Sequence, residues 1–183
     1  MFIYWLLFAI PAGMALAYPV QNQRYGHGAA QAAAMLAFMV FYVMLGALRF
    51  EVGGDWDTYD AMFIDIKSEA LSYAMTSTDP LYGALNWISA LLGTGIYLVN
   101  GVCCALLGFG TISASMRFRE PWLAVLIAVP YLLIVVGLGY VRQGAAIGLI
   151  VGGAVGPLGQ CVEPLELAWG EPSAMVTGDI AVE

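Results

Sequence analysis

Long apolar runs separated by short polar segments dominate the chain, a pattern that is typical of helices that cross a membrane. Residues 1–20 carry no charge, and residues 29–50 carry none before Arg49. Each run has about the 20 residues that a helix needs to cross the hydrocarbon core. We therefore predict a spanning helix in both. For the first run the alternative is a cleaved signal peptide, which the lack of a preceding basic residue disfavours.

A third apolar run, residues 81–115, is too long for one crossing. As one helix, this uncharged run would extend about 52 Å at 1.5 Å per residue. Residues 93–95, with the sequence Gly-Thr-Gly, are the expected break, because glycine is a poor helix former. We predict a half-length helix over residues 81–92, capped by Asp79, and then a full span over residues 96–115. The alternative is two short crossings.

Two further apolar runs complete the predicted bundle. Residues 122–138, which include Pro130, form a fourth span, and residues 139–143 are predicted to be a five-residue polar turn. The last helix, residues 144–156, has a glycine at every fourth position, which suits close packing on another transmembrane helix: Gly144, Gly148, Gly152 and Gly156. We expect this glycine face to need partner helices that the chain lacks.

The last predicted helix ends before it could cross the bilayer. Its apolar run stops at Gly156, after about 20 Å of helix, and residues 157–183 are acid-rich without a hydrophobic period. Irregular backbone in lipid would leave polar groups unsatisfied. We therefore predict a transmembrane region of about five spans over residues 1–156, the last one incomplete, and a foreign tail produced by truncation or a frame change. The alternative is an ordinary disordered tail after a short tilted helix.

Composition narrows the fold class to an all-α, polytopic transmembrane helix bundle. Apolar residues make up 61% of the chain and charged residues 10%, whereas soluble domains average about a quarter charged. This composition excludes a disordered chain, a nucleic-acid-binding protein and a disulfide scaffold. The net charge of −7 arises mainly in the tail and in one loop. Cys103 and Cys104 lie in an apolar run and are interpreted as small lipid-facing or core residues.

The long polar loop, residues 51–80, has a helical pattern of its own. Asp55 follows two glycines and can cap a helix. After it, Trp56, Tyr59 and Phe63 recur at spacings of three and four residues and so share one helix face. We predict a short amphipathic helix at the membrane surface. The predicted bundle thus has a broken half-helix and an outer amphipathic loop helix.

The basic residues of the short loops predict the orientation, because such loops face the cytoplasm. The turn at residues 115–121 has two arginines and the turn at residues 21–28 has one. With both turns inside, the acidic loop, Arg49 and Arg142 lie on the outer face. Two full crossings within residues 81–115 would instead put the two arginines on opposite faces.

Charged residues collect at the outer edge of the apolar runs, where ionisable groups are costly and are candidates for function. Two guanidinium groups, those of Arg49 and Arg142, can grip a pyrophosphate by paired hydrogen bonds. The alternative is an interfacial anchor for each arginine and a helix cap for Asp55 and Asp79. The sequence has no metal-site, P-loop, nucleophile-elbow or dinucleotide-binding motif, so we predict neither a metal nor a cofactor.

Three segments resemble the EpsG family of polytopic exopolysaccharide polymerases. They are LRFEVGGDWDTYDAMF at residues 48–63, DPLYGALNWI at residues 79–88 and GYVRQGAAIG at residues 139–148. Relatives have an arginine and a glycine-aspartate-tyrosine pattern after the second span, then a half-hydrophobic segment near an aspartate or proline. A tyrosine-x-arginine-glutamine turn before a glycine-alanine helix follows. The likeness covers roughly residues 1–156, about half the usual length of members of the family.

The resemblance implies glycosyl transfer at the outer face of a bacterial cytoplasmic membrane, on a glycan carried by polyprenyl pyrophosphate. Arg49 and Arg142 would stabilise the leaving pyrophosphate, and Asp55, or else Asp79, would be the base for the acceptor hydroxyl. The expected sugar-binding residues are Trp56, Tyr59, Tyr140 and Gln143, although an interfacial aromatic belt would also explain the rings. The expected partners are the lipid bilayer and exopolysaccharide assembly proteins, with no nucleic acid.

A non-enzymatic membrane scaffold or a transporter fragment is the alternative function. A transporter would place ionisable residues or unwound helices near the bilayer midplane. Residues 81–115 and 122–138 contain no charged side chain, and the charges lie at one edge instead. This distribution favours interfacial chemistry on a lipid-linked substrate.

Overall fold

The chain is an all-α bundle throughout the residues that a computed structural model describes, 2–17 and 29–155. Three helices are long and apolar enough to cross a membrane, and the first and last helices are shorter apolar ones. The predicted all-α bundle with spanning helices is therefore confirmed. In chain order the helices are α1 Phe2–Ala17, α2 Ala29–Ala47, α3 Trp56–Ile66, α4 Leu71–Ser77, α5 Pro80–Leu91, α6 Ile96–Ser115, α7 Pro121–Gly139 and α8 Val141–Val155.

The predicted half-helix and its break are confirmed. α5 has 12 residues, starts with Pro80 at its first position and is followed by the 20-residue span α6. Gly93 and Gly95, between the two helices, have φ angles of +66° and +64°. This left-handed conformation is readily available to glycine alone, which explains why the 35-residue apolar run is interrupted here.

The predicted amphipathic helix after Asp55 is also confirmed. In α3, Trp56, Tyr59 and Ile66 are buried, and the residues between them are mostly exposed. The sequence pattern did not indicate α4, a seven-residue helix that packs on α5. Its only buried residue is Ala74.

The fourth span contains a local distortion that the sequence pattern did not predict. Within α7, residues Val129–Val136 form a π-helical segment with Pro130 near its start. Proline has no backbone N–H, so the regular hydrogen bonding of the helix is interrupted there. The hydroxyl of Tyr42 donates a hydrogen bond to the carbonyl of Leu133, at 3.2 Å. Helix α2 thereby satisfies a backbone acceptor in the distorted segment.

The predicted five-residue turn at residues 139–143 is wrong, because only Tyr140 leaves the helical conformation. Tyr140 N–H still donates to Val136 O, and Gly144 N–H donates to Tyr140 O, both at 2.9 Å. The backbone thus makes i→i−4 hydrogen bonds on both sides of this residue. As a result, Arg142 and Gln143 lie in the first turn of α8.

The expectation that the glycine face of α8 lacks a partner is wrong for its described part, because α6 covers that face. A Cβ atom on Gly148 would lie 2.6 Å from the Cα of Leu107, and one on Gly152 would lie 3.6 Å from the Cα of Gly110. Small residues allow two helix backbones to approach this closely. Gly156, the tail at residues 157–183 and the turn at residues 21–28 lie outside the described residues.

The core has two parts. One joins α1, α2, α6 and α7 around Phe38, Tyr42 and Trp122, and the ring centroids of Phe38 and Trp122 lie 6.1 Å apart. The second lies where the loop helices meet α6 and α8, and includes Trp56, Tyr59 and Cys103. Cys103 and Cys104 are buried free thiols, which confirms that they are core residues. The second cluster supports the candidate site.

Candidate functional site

Arg142 links the start of α8 to the segment that leads into α5. Its Nη1 atom donates hydrogen bonds to Oδ2 of Asp79 at 3.2 Å and to Oγ1 of Thr78 at 3.3 Å. The guanidinium carbon lies 5.8 Å from the ring centroid of Tyr59 and 5.7 Å from that of Tyr82. Two aromatic rings and a carboxylate therefore fix the plane of this guanidinium group.

Asp79 is paired with Arg142 and does not cap α5 through its side chain. Asp79 occupies the N-cap position, but its carboxylate makes no capping hydrogen bond. The side chains of Arg142 and Asp79 are 35% and 71% exposed. An ion pair this exposed contributes at most about 1 kcal/mol to stability, so its main effect is to orient the guanidinium group.

Arg49 is the buried arginine of the site, with 7% of its surface exposed. Its Nη2 atom donates a hydrogen bond to Oδ1 of Asn100 at 3.3 Å, and its guanidinium carbon lies 5.8 Å from the ring centroid of Trp56. The Nε and Nη1 atoms are buried without a hydrogen-bond partner among the described residues. Burial lowers the pKa of Arg49, and nearby thiol and phenol groups oppose this shift.

The two arginines flank one aromatic cluster. Trp56 and Tyr59, which face Arg49 and Arg142 respectively, are three residues apart on the buried face of α3. The ring of Tyr82, which also faces Arg142, lies next to that of Tyr59, with 5.9 Å between the two centroids. The two arginines therefore contact neighbouring rings on one face of α3.

Gly53 sets how closely the loop approaches the end of α7. Its φ angle is +111°, a conformation that side-chain-bearing residues rarely adopt, and a Cβ atom there would lie 2.7 Å from the carbonyl oxygen of Leu138 and 3.4 Å from Nη1 of Arg49. The contact needs a residue without a side chain. Gly53 thus joins the Arg49 segment to the backbone that leads to Arg142.

Asp55 lies beside this cluster at the N-cap position of α3. It is half-buried and its side chain makes no capping hydrogen bond. Burial raises the pKa of Tyr59, Arg142 opposes the shift, and the negative charge of Asp55 adds to it. The carboxylate of Asp55 is therefore close enough to influence Tyr59 electrostatically. Its oxygens make no hydrogen bond to the N-terminus of α3.

The family model of the EpsG family matches residues 32–154, a range that includes α3, α5 and both arginines. The chain belongs to the EpsG family. Comparisons with curated proteins and with solved structures gave no match. Membership, together with the apolar helices long enough to span a bilayer, identifies a membrane protein of polysaccharide biosynthesis. The resemblance inferred from the three sequence segments is confirmed.

The other residues predicted for the site of this EpsG-family protein are distributed unevenly. Trp56 and Tyr59 are buried, with their rings against the guanidinium groups. Tyr140 is exposed, and its hydroxyl oxygen lies 4.0 Å from where a Cβ on Gly54 would be. Gln143 is exposed in the first turn of α8. Of the predicted aromatic residues, Tyr140 is the one with a ring accessible from solvent.

Sequence reasoning did not identify three residues of this EpsG-family site: Asn100, Thr78 and Tyr82. Asn100 is fully buried in a spanning helix and accepts a hydrogen bond from Arg49. A polar side chain in an apolar helix needs such a partner, so its position was an available signal. For Thr78 and Tyr82 the sequence offered no signal beyond their proximity to Asp79.

Proposed function

We propose that this EpsG-family chain forms the catalytic core of a polymerase for lipid-linked oligosaccharide repeat units, at the outer face of a bacterial cytoplasmic membrane. The observation that carries the proposal is the pair of arginines around one aromatic cluster at the loop end of the bundle. The donor is a growing glycan on polyprenyl pyrophosphate. The acceptor is a sugar hydroxyl of the next lipid-linked unit.

The arginines supply the positive charge that a leaving pyrophosphate requires. Preorganised donors aimed at developing negative charge lower a reaction barrier more than donors that must first be reoriented. Arg142 is already held in plane by Asp79 and two rings, and it remains partly exposed. Arg49 has two nitrogen atoms without a hydrogen-bond partner among the described residues. Together they offer N–H donors to two phosphate groups.

The two carboxylates then have different roles. Asp79 is engaged with Arg142 and acts as a positioning residue. Asp55, which makes no capping hydrogen bond, is the general base. In the transfer step Asp55 takes the proton of the acceptor hydroxyl, and the oxygen bonds to the anomeric carbon of the donor sugar. The bond from that carbon to the pyrophosphate oxygen breaks, and the pyrophosphate leaves with the electron pair.

The aromatic residues divide between support and contact. The rings of Trp56 and Tyr59 lie against the guanidinium groups of Arg49 and Arg142, respectively, and support them. Tyr140 is exposed beside the loop and can stack on a sugar ring, and Gln143 lies on the same first turn of α8 as Arg142. The bilayer delivers both lipid-linked substrates, and exopolysaccharide assembly proteins would receive the polymer.

The experiment is the length distribution of glycan made from lipid-linked repeat units in membranes that contain the chain. Lysine keeps the positive charge of Arg142 but loses two-pronged hydrogen bonding. We expect Arg142→Lys to lose most polymer, in line with the loss of about 10²- to 10³-fold that removing one such donor causes. Arg49→Lys should have an effect in the same direction.

The matched control is Arg119→Lys, an exposed arginine in the turn before α7, at the opposite end of the bundle. It should leave the chain length of the glycan unchanged. Normal glycan length for both Arg142→Lys and Arg49→Lys, at normal protein abundance by immunoblot, would contradict the proposal. So would the absence of polymer from membranes with the wild-type chain.

A further inference from the structure

An apolar groove of about 450 Å³ lies beside Arg49, between α1, α2 and the end of α7. Tyr4 contributes from α1. The rest of the apolar wall is formed by Phe41, Met44, Leu45, Leu48, Val52 and Leu138. Arg49 is the one charged residue among the described residues that line it. The groove thus combines a hydrocarbon-like wall with a single positive charge.

The groove is accessible from the side of the bundle. Met44 is 51% exposed, and Leu48 and Phe50 beside it are also exposed. Met44 lies on the last turn of α2, a helix long and apolar enough to span a membrane, and Leu48 and Phe50 directly follow its end. On such a helix, exposed apolar residues face lipid rather than water. A lipid chain can therefore enter the groove directly from the bilayer.

Arg49 distinguishes this groove from a purely apolar surface. Its side chain is more than nine-tenths buried, and only Nη2 has a hydrogen-bond partner, on Asn100. Nε and Nη1 are buried without one among the described residues. Unpaired buried donors of a charged group carry a substantial desolvation cost. An anion that bonds these two atoms would remove that cost.

We propose that this groove binds the isoprenoid chain of the polyprenyl pyrophosphate substrate, with the phosphate nearest the chain bonded to Arg49. The inference rests on the proposed function, which supplies the lipid-linked anion. Basic pockets between transmembrane helices are known to bind lipid head groups, and here one guanidinium group and one apolar groove match one phosphate end and one hydrocarbon chain. A diacyl lipid would have a second chain for which this groove has no counterpart.

This placement gives the two arginines separate tasks. Arg49 anchors the lipid side of the pyrophosphate, at the groove. Arg142, which lies against the Tyr59 ring and is paired with Asp79, contacts the sugar side. The isoprenoid chain would therefore determine which end of the substrate reaches the base.

The test is the capture of radiolabelled long-chain polyprenyl phosphate by the purified full chain in detergent. Met44→Trp fills the mouth of the groove with a larger side chain. We expect it to retain about tenfold less polyprenyl phosphate, because a few buried methylene groups account for that factor in affinity. Leu36→Trp is the matched control, since Leu36 is 59% exposed on the same helix, two turns away from Met44 and outside the groove. It should bind as wild type does.

Competition with unlabelled lipids tests which lipid occupies the groove. Unlabelled polyprenyl phosphate should displace the label, and diacyl phosphatidic acid at the same concentration should not. Equal capture by Met44→Trp and Leu36→Trp, or equal competition by phosphatidic acid, would overturn the proposal. Leu48→Trp, at a second exposed position of the groove, replaces Met44→Trp if that variant aggregates. The assay involves no sugar and no turnover, so lipid capture can fail while polymer forms, and the reverse.

Discussion

Arg142 and Asp79 form an ion pair across 63 residues of sequence, with Nη1 of the arginine 3.2 Å from Oδ2 of the aspartate. The pair joins the half-helix α5 to the start of α8. The guanidinium group of the pair also lies against the rings of Tyr59 and Tyr82. Because α5 is not a span, only the two spans α6 and α7 separate Asp79 from Arg142, which places both residues at the same end of the bundle.

Asp79→Asn tests whether this pair serves orientation or stability. The pair is exposed, so its loss should change the free energy of unfolding by at most about 1 kcal/mol. We expect polymer formation to fall by at least about tenfold, because a catalytic group misplaced by about 1 Å can lose about 10²-fold in rate. The measurement is glycan length together with the thermal stability of the purified chain.

The control for this variant is Asp57→Asn. Asp57 is an exposed acid of the same loop, in the first turn of α3. It should alter neither glycan length nor thermal stability by more than a small amount. If Asp79→Asn polymerises as wild type does, Asp79 has no positioning role.

Substituting alanine at the adjacent residues Gly53 and Gly54 should have different effects on the loop. Gly53 has a φ of +111° and a potential Cβ contact of 2.7 Å to Leu138 O, whereas at Gly54 the nearest atom would be 4.0 Å away. We expect Gly53→Ala to destabilise the loop by about 1–3 kcal/mol and to shorten the glycan. Gly54→Ala should do neither. Proteolysis of the loop in intact membranes would show the difference, and equal sensitivity of the two variants would contradict the role given to Gly53.

Much of the helical framework could be predicted because apolar length and glycine position determine it locally. The predicted span at residues 96–115 matches α6 at both ends, and the half-helix at residues 81–92 differs from α5 by one residue at each end. Pro80 sets the start of α5, and the glycines at positions 93 and 95 set the end of α5 and the start of α6. Local chemistry of this kind can be read from the sequence.

The contacts of the site could be predicted only in part. Charge placement indicated Arg49, Arg142 and Asp79, and the family resemblance indicated Tyr59, but neither indicated the Tyr82 ring beside Arg142 or the Asn100 amide beside Arg49. Tyr82 and Asn100 contact the arginines because helices that are distant in sequence pack together. The hydropathy of a segment predicts that it is buried, but not which residue it contacts. The same limit explains the glycine face of α8. The glycine spacing predicted close packing on another helix, but it did not indicate that this helix is α6 of the same chain.

The orientation of the bundle stays a prediction, and single cysteines test it. Ser68 in the acidic loop and Phe118 in the basic turn are both exposed, while Cys103 and Cys104 are buried. In a Cys161→Ser background, an impermeant maleimide applied to intact cells should label Ser68→Cys. Phe118→Cys should react only after permeabilisation. The reverse pattern would put the arginine site on the cytoplasmic face.

Substitution of Gly148 tests whether the glycine face of α8 packs on α6 or on another molecule. The two arrangements predict different effects of Gly148→Leu. If its glycine face met another molecule, Gly148→Leu would weaken self-association and leave the monomer intact. The structure instead puts Gly148 against the backbone of Leu106 and Leu107 in α6, so a leucine must push the two helices apart. Overpacking of this kind costs about 1–3 kcal/mol. Displacement of α8 would also carry Arg142 away from Asp79.

We therefore expect Gly148→Leu to lower the thermal stability of the detergent-solubilised chain and to reduce polymer formation. Gly13→Leu is the control, since a Cβ at Gly13 in α1 would have no neighbour within 4 Å. It adds the same side chain and should leave stability unchanged. The readout is the melting temperature by fluorescence-detected size exclusion, which reports both unfolding and oligomeric state. A Gly148→Leu monomer as stable as Gly13→Leu would show that α6 and α8 do not pack as closely as described, because a buried leucine cannot be added between touching backbones without cost.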